Sequence, residues 1–182
     1  MLFRSGFRWD LSKGFTNQNC GFTDYACWNK YNLDRINILQ DYKNQMEASS
    51  PGSYCILEHF SDWDEEAELA KREMMLWGEM HDVFKQNSIG FPTANGSLNN
   101  VHWKNRQFWG DSYLNDRPHL ITYAVSHDKE RLMVENLRFG NQSQTNHNVR
   151  NLSVGLSRSE AIGGFLLSFP GPKMIWQFDV LG

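Results

Sequence analysis

Three short apolar segments of this chain each lead into an acidic side chain placed to move protons or form bonds. In Gly6-Phe7-Arg8-Trp9-Asp10 the side chains of an extended strand alternate, so Gly6, Arg8 and Asp10 face one way and Phe7 and Trp9 the other. An arginine two residues before an aspartate on the same face can pair with it and keep it ionised and nucleophilic. Glu58 follows the apolar run Tyr54-Cys55-Ile56-Leu57. Apolar surroundings raise a carboxyl pKa and hold the proton that a general acid must deliver. Asp128 follows a third apolar run and stands beside His127. Such a pair also serves in hydrolase triads and in metal sites. No serine lies in a nucleophile-elbow context, however, and no His-x-x-x-His or Cys-x-x-Cys spacing is present. Taken singly, each arrangement also fits a structural ion pair or a solvated loop carboxylate.

The elements that must carry these groups follow from periodicity. Leu2–Trp9 reads as a strand, followed by a polar loop to Tyr31. Leu33, Ile36, Leu39, Tyr42 and Met46 recur every three or four residues and predict a helix over Leu33–Ala48, with Asn32 as its N-cap. Pro51-Gly52 breaks the chain before a strand at Tyr54–Leu57. A helix over Asp62–Arg72, a strand at Met74–Trp77 and a helix over Glu79–Gln86 come next. Gly90–Asn100 reads as loop and Val101–Leu114 as helix. His119–Val125 is a β-rich run, Gly140–Asn148 a polar loop, Leu152–Leu167 a helix and Lys173–Phe178 a last strand. Strands alternating with helices predict parallel β/α units, in a doubly wound sheet or a (β/α)8 barrel. Both architectures place sites at the C-terminal strand ends, where these polar residues fall. No Gly-rich phosphate loop follows the first strand, which argues against a nucleotide fold.

Composition sets outer bounds. The chain has 182 residues, 40% of them apolar, and a net charge of −3 with both signs scattered, as expected of a globular domain. No basic block points to nucleic acid, and no stretch reaches the roughly 20 apolar residues of a membrane span. The first residues, MLFRSGFRWD, are not a signal peptide. Of three cysteines, Cys20 and Cys27 lie in one polar loop, near enough to bridge, and Cys55 sits in an apolar run as a small hydrophobe. A Cys20–Cys27 bridge would imply an oxidising, extracellular-type compartment, but spacing alone leaves the pairing open.

In combination and order, these segments resemble glycoside hydrolase family 13, the alpha-amylase family. Gly6–Asp10 matches its Gly-Phe-Arg-x-Asp segment at barrel strand four. Glu58, in Ile56-Leu57-Glu58-His59-Phe60, matches the glutamate ending strand five. His127-Asp128 with Arg131 matches the His-Asp pair after strand seven and the arginine three residues on. Phe169–Phe178 looks like the strand-eight region. The resemblance covers nearly everything from Gly6 onward. It implies an α/β fold, a partial (β/α)8 TIM barrel comprising approximately strands four to eight. Residues 6–182 would form this partial catalytic barrel, and Met1–Ser5 match nothing expected upstream, reading as an artefactual or arbitrary start. Strands one to three, and any C-terminal β domain, would lie outside a chain that is then a fragment.

The implied activity is that of a retaining glycosidase, alpha-amylase-like, acting on α-1,4-glucans such as starch or glycogen. Asp10 would be the nucleophile, Glu58 the acid/base and Asp128 the transition-state stabiliser. Asp10 and Glu58 are then expected to face each other across about 5–5.5 Å. Arg8, Lys13, His127 and Arg131 would contact substrate or support the carboxylates, with Lys13 on the acceptor side. Gly14 stands where many members carry a histidine whose backbone helps hold calcium, Leu57 where glycine is common, and Ser126 where many amylases have asparagine. No cofactor is expected in this fragment, and calcium is an expectation for the intact enzyme only. The partner expected is an α-glucan, with no nucleic acid and no membrane. Two other functions fit the same family: a transglycosylase, such as a branching enzyme or glucanotransferase, and a non-catalytic carbohydrate-binding or transporter-associated relative. The second typically loses carboxylates that this chain keeps.

Overall fold

The computed structural model describes residues 6–91, 93, 96–102 and 118–177. Met1–Ser5, most of the helix expected over Val101–Leu114 and the end of the last expected strand lie outside the described residues. The chain divides into two compact units, one running to Gly78 and resuming through Ile121, the other formed by Glu79–His102 and the residues from Thr122 onward.

The first unit is an α/β layer. Strands β1 (Gly6–Trp9), β2 (Tyr54–Leu57), β3 (Met75–Trp77) and β4 (Leu120–Ile121) form a four-stranded, all-parallel sheet in the order β1-β2-β3-β4. The sequence boundaries for β2 hold to the residue, and those for β3 to within one. The run His119–Val125 shortens to two strand residues, because chain pairing ends at Ile121 on the β3 side. The polar loop to Tyr31 contains a 3-10 turn at Ser12–Gly14 and a short helix α1 (Tyr25–Asn29), capped by the Asp24 side chain on the Cys27 N–H.

Helix α2 (Leu33–Ser49) follows, with the Asn32 side chain accepting from the Arg35 N–H as the spacing predicts. Its buried stripe is Ile36, Leu39 and Met46, while Leu33 and Tyr42 stay partly exposed. Trp9, on the helix side of β1, stacks on Tyr42 at 5.3 Å and meets the edge of Phe15. Phe7, Trp9, Tyr42 and Met46 line a cavity of about 380 Å³ on that side. Helix α3 (Trp63–Lys71) buries Ala67, Leu69 and Ala70.

The second unit is helical. Helix α4 (His81–Ile89) ends on Gly90, whose φ of 81° is the left-handed conformation that glycine adopts without steric cost. Helix α5 (Leu132–Phe139) is a structural element where the sequence reading has none, and α6 (Leu152–Ser168) matches the expected helix. These three helices meet around the buried Asn136. Its amide oxygen accepts from Ser88 at 2.8 Å, and its nitrogen donates to the Gly155 carbonyl at 3.0 Å. Lys173 makes one parallel bridge to Thr122 in place of the longer strand expected at Lys173–Phe178. Among the described residues no helix is long and apolar enough to cross a membrane.

Candidate active site

The register of the sheet brings the first two predicted carboxylates side by side. Trp9 pairs with Leu57, Leu57 with Leu76, and Leu76 with Leu120. One residue further along each strand, Asp10, Glu58, Trp77 and Ile121 therefore occupy one layer on the face opposite Trp9. Arg8 lies on that same face, two residues before Asp10.

Arg8 joins the two acids. One guanidinium nitrogen is 3.1 Å from Asp10 Oδ1 and the other is 3.0 Å from Glu58 Oε2. The guanidinium carbon sits 4.8 Å from the centre of the Trp77 ring, a cation–π contact worth about 0.5–2 kcal/mol. Trp77 was not among the residues singled out from the sequence. An aromatic at the end of a strand looks like core until the register places it under an arginine.

The two carboxylates have contrasting environments. The Asp10 side chain is 70% exposed, whereas that of Glu58 is only 9% exposed. Burial raises the Glu58 carboxyl above its usual range. The Leu11 N–H and the Arg8 charge pull it back, while the neighbouring Asp10 pushes it further up. A buried carboxyl with a raised pKa thus stands beside a solvent-facing carboxylate.

The turn after β1 is built to reach Glu58. The Glu58 N–H donates to the Trp9 carbonyl at 3.0 Å, continuing the ladder. The regular continuation would have Leu11 donate to the Glu58 carbonyl. Instead Leu11 adopts a left-handed φ of 40°, its N–H turns to Glu58 Oε2 at 3.1 Å, and Ser12 takes the carbonyl at 2.8 Å. Phe60, two residues beyond Glu58, is also left-handed at φ 54°. Each such residue costs about 1–3 kcal/mol, and strain of this kind persists only where the surroundings enforce it.

Lys13 is tied into the protein. Its ammonium donates to Asn29 Oδ1 at 2.9 Å and to the Phe60 carbonyl at 3.0 Å. Burial lowers its pKa, and the Arg35 charge lowers it further.

Beneath this lies a buried polar chain that the sequence reading missed. Arg35, 1% exposed, donates to both oxygens of Glu65 at 2.6 and 2.7 Å, and to the carbonyls of Lys13, Trp28 and Lys30. Glu65 also accepts from the Asn32 N–H at 2.7 Å and lies 2.8 Å from His59 Nε2. His59 Nδ1 lies 2.8 Å from Ser12 Oγ. Burial alone would raise the Glu65 carboxyl, but the hydrogen bonds from His59 and Arg35 outweigh it and hold Glu65 below the usual range. Burial keeps His59 below the ordinary histidine value in spite of Glu65. Arg35 sits on the apolar stripe of α2 and Glu65 in an acidic run, so helical spacing alone marks neither as a core ion pair.

Cys20 and Cys27 form a disulfide with Cα atoms 5.7 Å apart, and Cys55 is a buried free thiol. The open question of pairing is thereby answered for these two cysteines. The bridge closes a short loop, for a stabilisation of about 2–3 kcal/mol.

The remaining predicted residues belong to the second unit. His127 Nε2 lies 3.1 Å from Asp128 Oδ2, and both side chains are substantially exposed. The His127 ring is 5.7 Å from the half-buried Trp176. Ser126 Oγ accepts from the Asp128 N–H at 3.4 Å, and Lys129 pairs with Glu79 at 3.2 Å. Arg131 is the N-cap residue of α5, with its own N–H on Glu130. Among the described residues, no group of three or more His, Cys, Asp or Glu side chains is gathered as metal ligands.

Comparison of the sequence with profiles of known protein families yields no match, and neither does a search of curated proteins.

Proposed function

We propose that this chain is the C-terminal part of the catalytic barrel of a retaining α-glycosidase that acts on α-1,4-glucans. The observation that carries the reading is the pair Asp10 and Glu58, held by one arginine at adjacent register positions of neighbouring parallel strands. Adjacent strands lie about 4.8 Å apart. That spacing favours a carboxyl separation near the 5–5.5 Å of retaining glycosidases over the wider gap of inverting ones. The sequential strand order supports a barrel: a doubly wound sheet reverses its order at a switch point, and none occurs within β1-β2-β3-β4. The four strands then correspond to barrel strands four to seven and the Lys173 bridge to strand eight.

In this mechanism an Asp10 oxygen attacks the anomeric carbon while the bond to the leaving sugar breaks. Glu58 gives its proton to the departing oxygen. In the second half, ionised Glu58 takes a proton from water, the water oxygen bonds to the anomeric carbon, and Asp10 is released. Arg8 supplies the counter-charge to both carboxylates. The family resemblance assigns to Asp128, paired with His127, the stabilisation of the positive charge that develops on the sugar. The environments support these roles, since the exposed Asp10 faces solvent, where a sugar could reach it, and burial raises the Glu58 carboxyl toward the range a general acid needs. The Cys20–Cys27 bridge supports synthesis into an oxidising compartment.

In this reading barrel strands one to three are not among these 182 residues, so the test uses the full gene product. Reducing-sugar release from soluble starch should be lost, by at least about a thousandfold, in Asp10→Asn, with the fold intact. Transfer of glucan chains without release of reducing ends would identify the transglycosylase form of the same mechanism. Unchanged starch hydrolysis in Asp10→Asn would overturn the assignment.

A further inference from the structure

The buried chain behind the two carboxylates has a direction. Glu65 is ionised and can only accept, so the proton of neutral His59 must sit on Nε2, facing Glu65 Oε1 at 2.8 Å. Nδ1 is then the acceptor, and the Ser12 hydroxyl donates to it at 2.8 Å. The Ser12 oxygen also lies 3.2 Å from the Glu58 carbonyl, which takes the Ser12 N–H at 2.8 Å. The backbone that carries Asp10 is thus fastened to the backbone that carries Glu58 through one hydroxyl and one imidazole. The imidazole is itself fixed by an ion pair with every Arg35 donor engaged.

This fastening explains the geometry at the turn. Leu11 lies between Asp10 and Ser12 and is held left-handed, with its N–H on the Glu58 carboxyl. On the other segment, His59 precedes the left-handed Phe60, whose carbonyl accepts from Lys13. The Ser12 N–H on the Glu58 carbonyl and Lys13 on the Phe60 carbonyl hold the same turn, and the Ser12–His59 bond is the side-chain tie that fixes it against the imidazole.

We infer that His59, acting through Ser12, is a positioning residue that sets where the Glu58 carboxyl stands relative to Asp10. This rests on the assignment of Glu58 as the acid/base. The effect of loosening His59 or Ser12 falls on proton delivery to the leaving group. Substrate binding and the nucleophile itself are spared.

The experiment compares two substrates in the full gene product. Cleavage of starch needs a proton on the leaving oxygen, whereas α-maltosyl fluoride releases fluoride without that help. Ser12→Ala should lower kcat on starch by about tenfold to a hundredfold with little change in KM, as expected for a misplaced group. First-turnover fluoride release should stay within about twofold of the wild type, because no proton delivery is asked of Glu58. Ser12→Thr, which keeps the hydroxyl, should restore starch cleavage. His59→Gln, which can still donate to Glu65 and has no acceptor at the Nδ1 position facing Ser12, should reproduce the Ser12→Ala pattern. Equal losses on both substrates, or no loss on either, would overturn the inference, and Ser12→Ala decides it even if His59→Gln fails to fold. Glu58→Gln serves as the control. If it too loses both substrates equally, the acid/base assignment fails, which is a different outcome from failure of the positioning role.

Discussion

Leu11 donates its backbone N–H to the carboxyl of Glu58 at 3.1 Å, while the ladder bond it would otherwise make passes to Ser12. One residue is thereby inserted between the strand carrying Asp10 and the turn that closes over Glu58. The left-handed φ of Leu11, 40°, is the local cost of aiming that N–H at a side chain.

The environment of Glu58 predicts a sign for stability against pH. Its folded pKa lies above its ordinary value of 4.5, with burial the largest cause. A raised carboxyl contributes stability below its unfolded pKa, and that contribution is lost as pH rises through the folded value. Glu58→Gln, which mimics the protonated acid, should therefore gain stability relative to the wild type as pH rises above the ordinary 4.5. Urea midpoints of both proteins across that range check it. A gap that shrinks as pH rises would contradict the burial argument.

The ion pair Arg35–Glu65 predicts a large single-site effect. Both side chains are essentially sealed from solvent. Removing one partner strands a buried charge, for a loss of about 3–5 kcal/mol. Arg35→Met should show it in equilibrium unfolding at pH 7.

Acid should act on the same network. The folded pKa of His59 lies below its ordinary 6.5, so its contribution is present above that value and falls as pH drops through it. Glu65, also held low, adds a loss that begins below its ordinary 4.5. The contribution of this network should decline from about pH 6.5 downward, so the stability difference between the wild type and His59→Gln should change with pH in the first part of that range.

The cysteines predict a simple count. Denatured without reductant, the chain should titrate one thiol, because Cys20 and Cys27 are bridged. In the native state Cys55 should react slowly with alkylating reagents, since it is buried and its pKa is pushed up to about 11. Three reactive thiols after denaturation would remove the bridge and the argument for an oxidising compartment.

Much of this arrangement was legible in the sequence, for physical reasons. Strand alternation alone places Arg8 and Asp10 on one face, and the structure pairs them. The helical stripe with Asn32 as its cap reads directly as α2. What escaped is what depends on the third dimension. Arg8 reaches Glu58 as well as Asp10, which requires the register of β1 on β2. Arg35 looks like a surface charge until Glu65 arrives from another helix to neutralise it. Helix α5 is short, and its Asn136 breaks the apolar pattern because the core itself there is polar, with Ser88 and Gly155 as partners. Strand ends escaped too: β4 stops at Ile121 where its pairing with β3 stops, although β-rich sequence runs on to Val125.

In the proposed mechanism Asp10 becomes covalently bonded to sugar during turnover. The direct measurement is peptide mass mapping of the full gene product after reaction with a fluorosugar that forms the glycosyl-enzyme quickly and hydrolyses slowly. One added sugar mass is expected on the peptide carrying Asp10, absent from Asp10→Asn, with release of product of retained α configuration. A label on another carboxylate, or turnover that yields the inverted anomer with no label at Asp10, would contradict it.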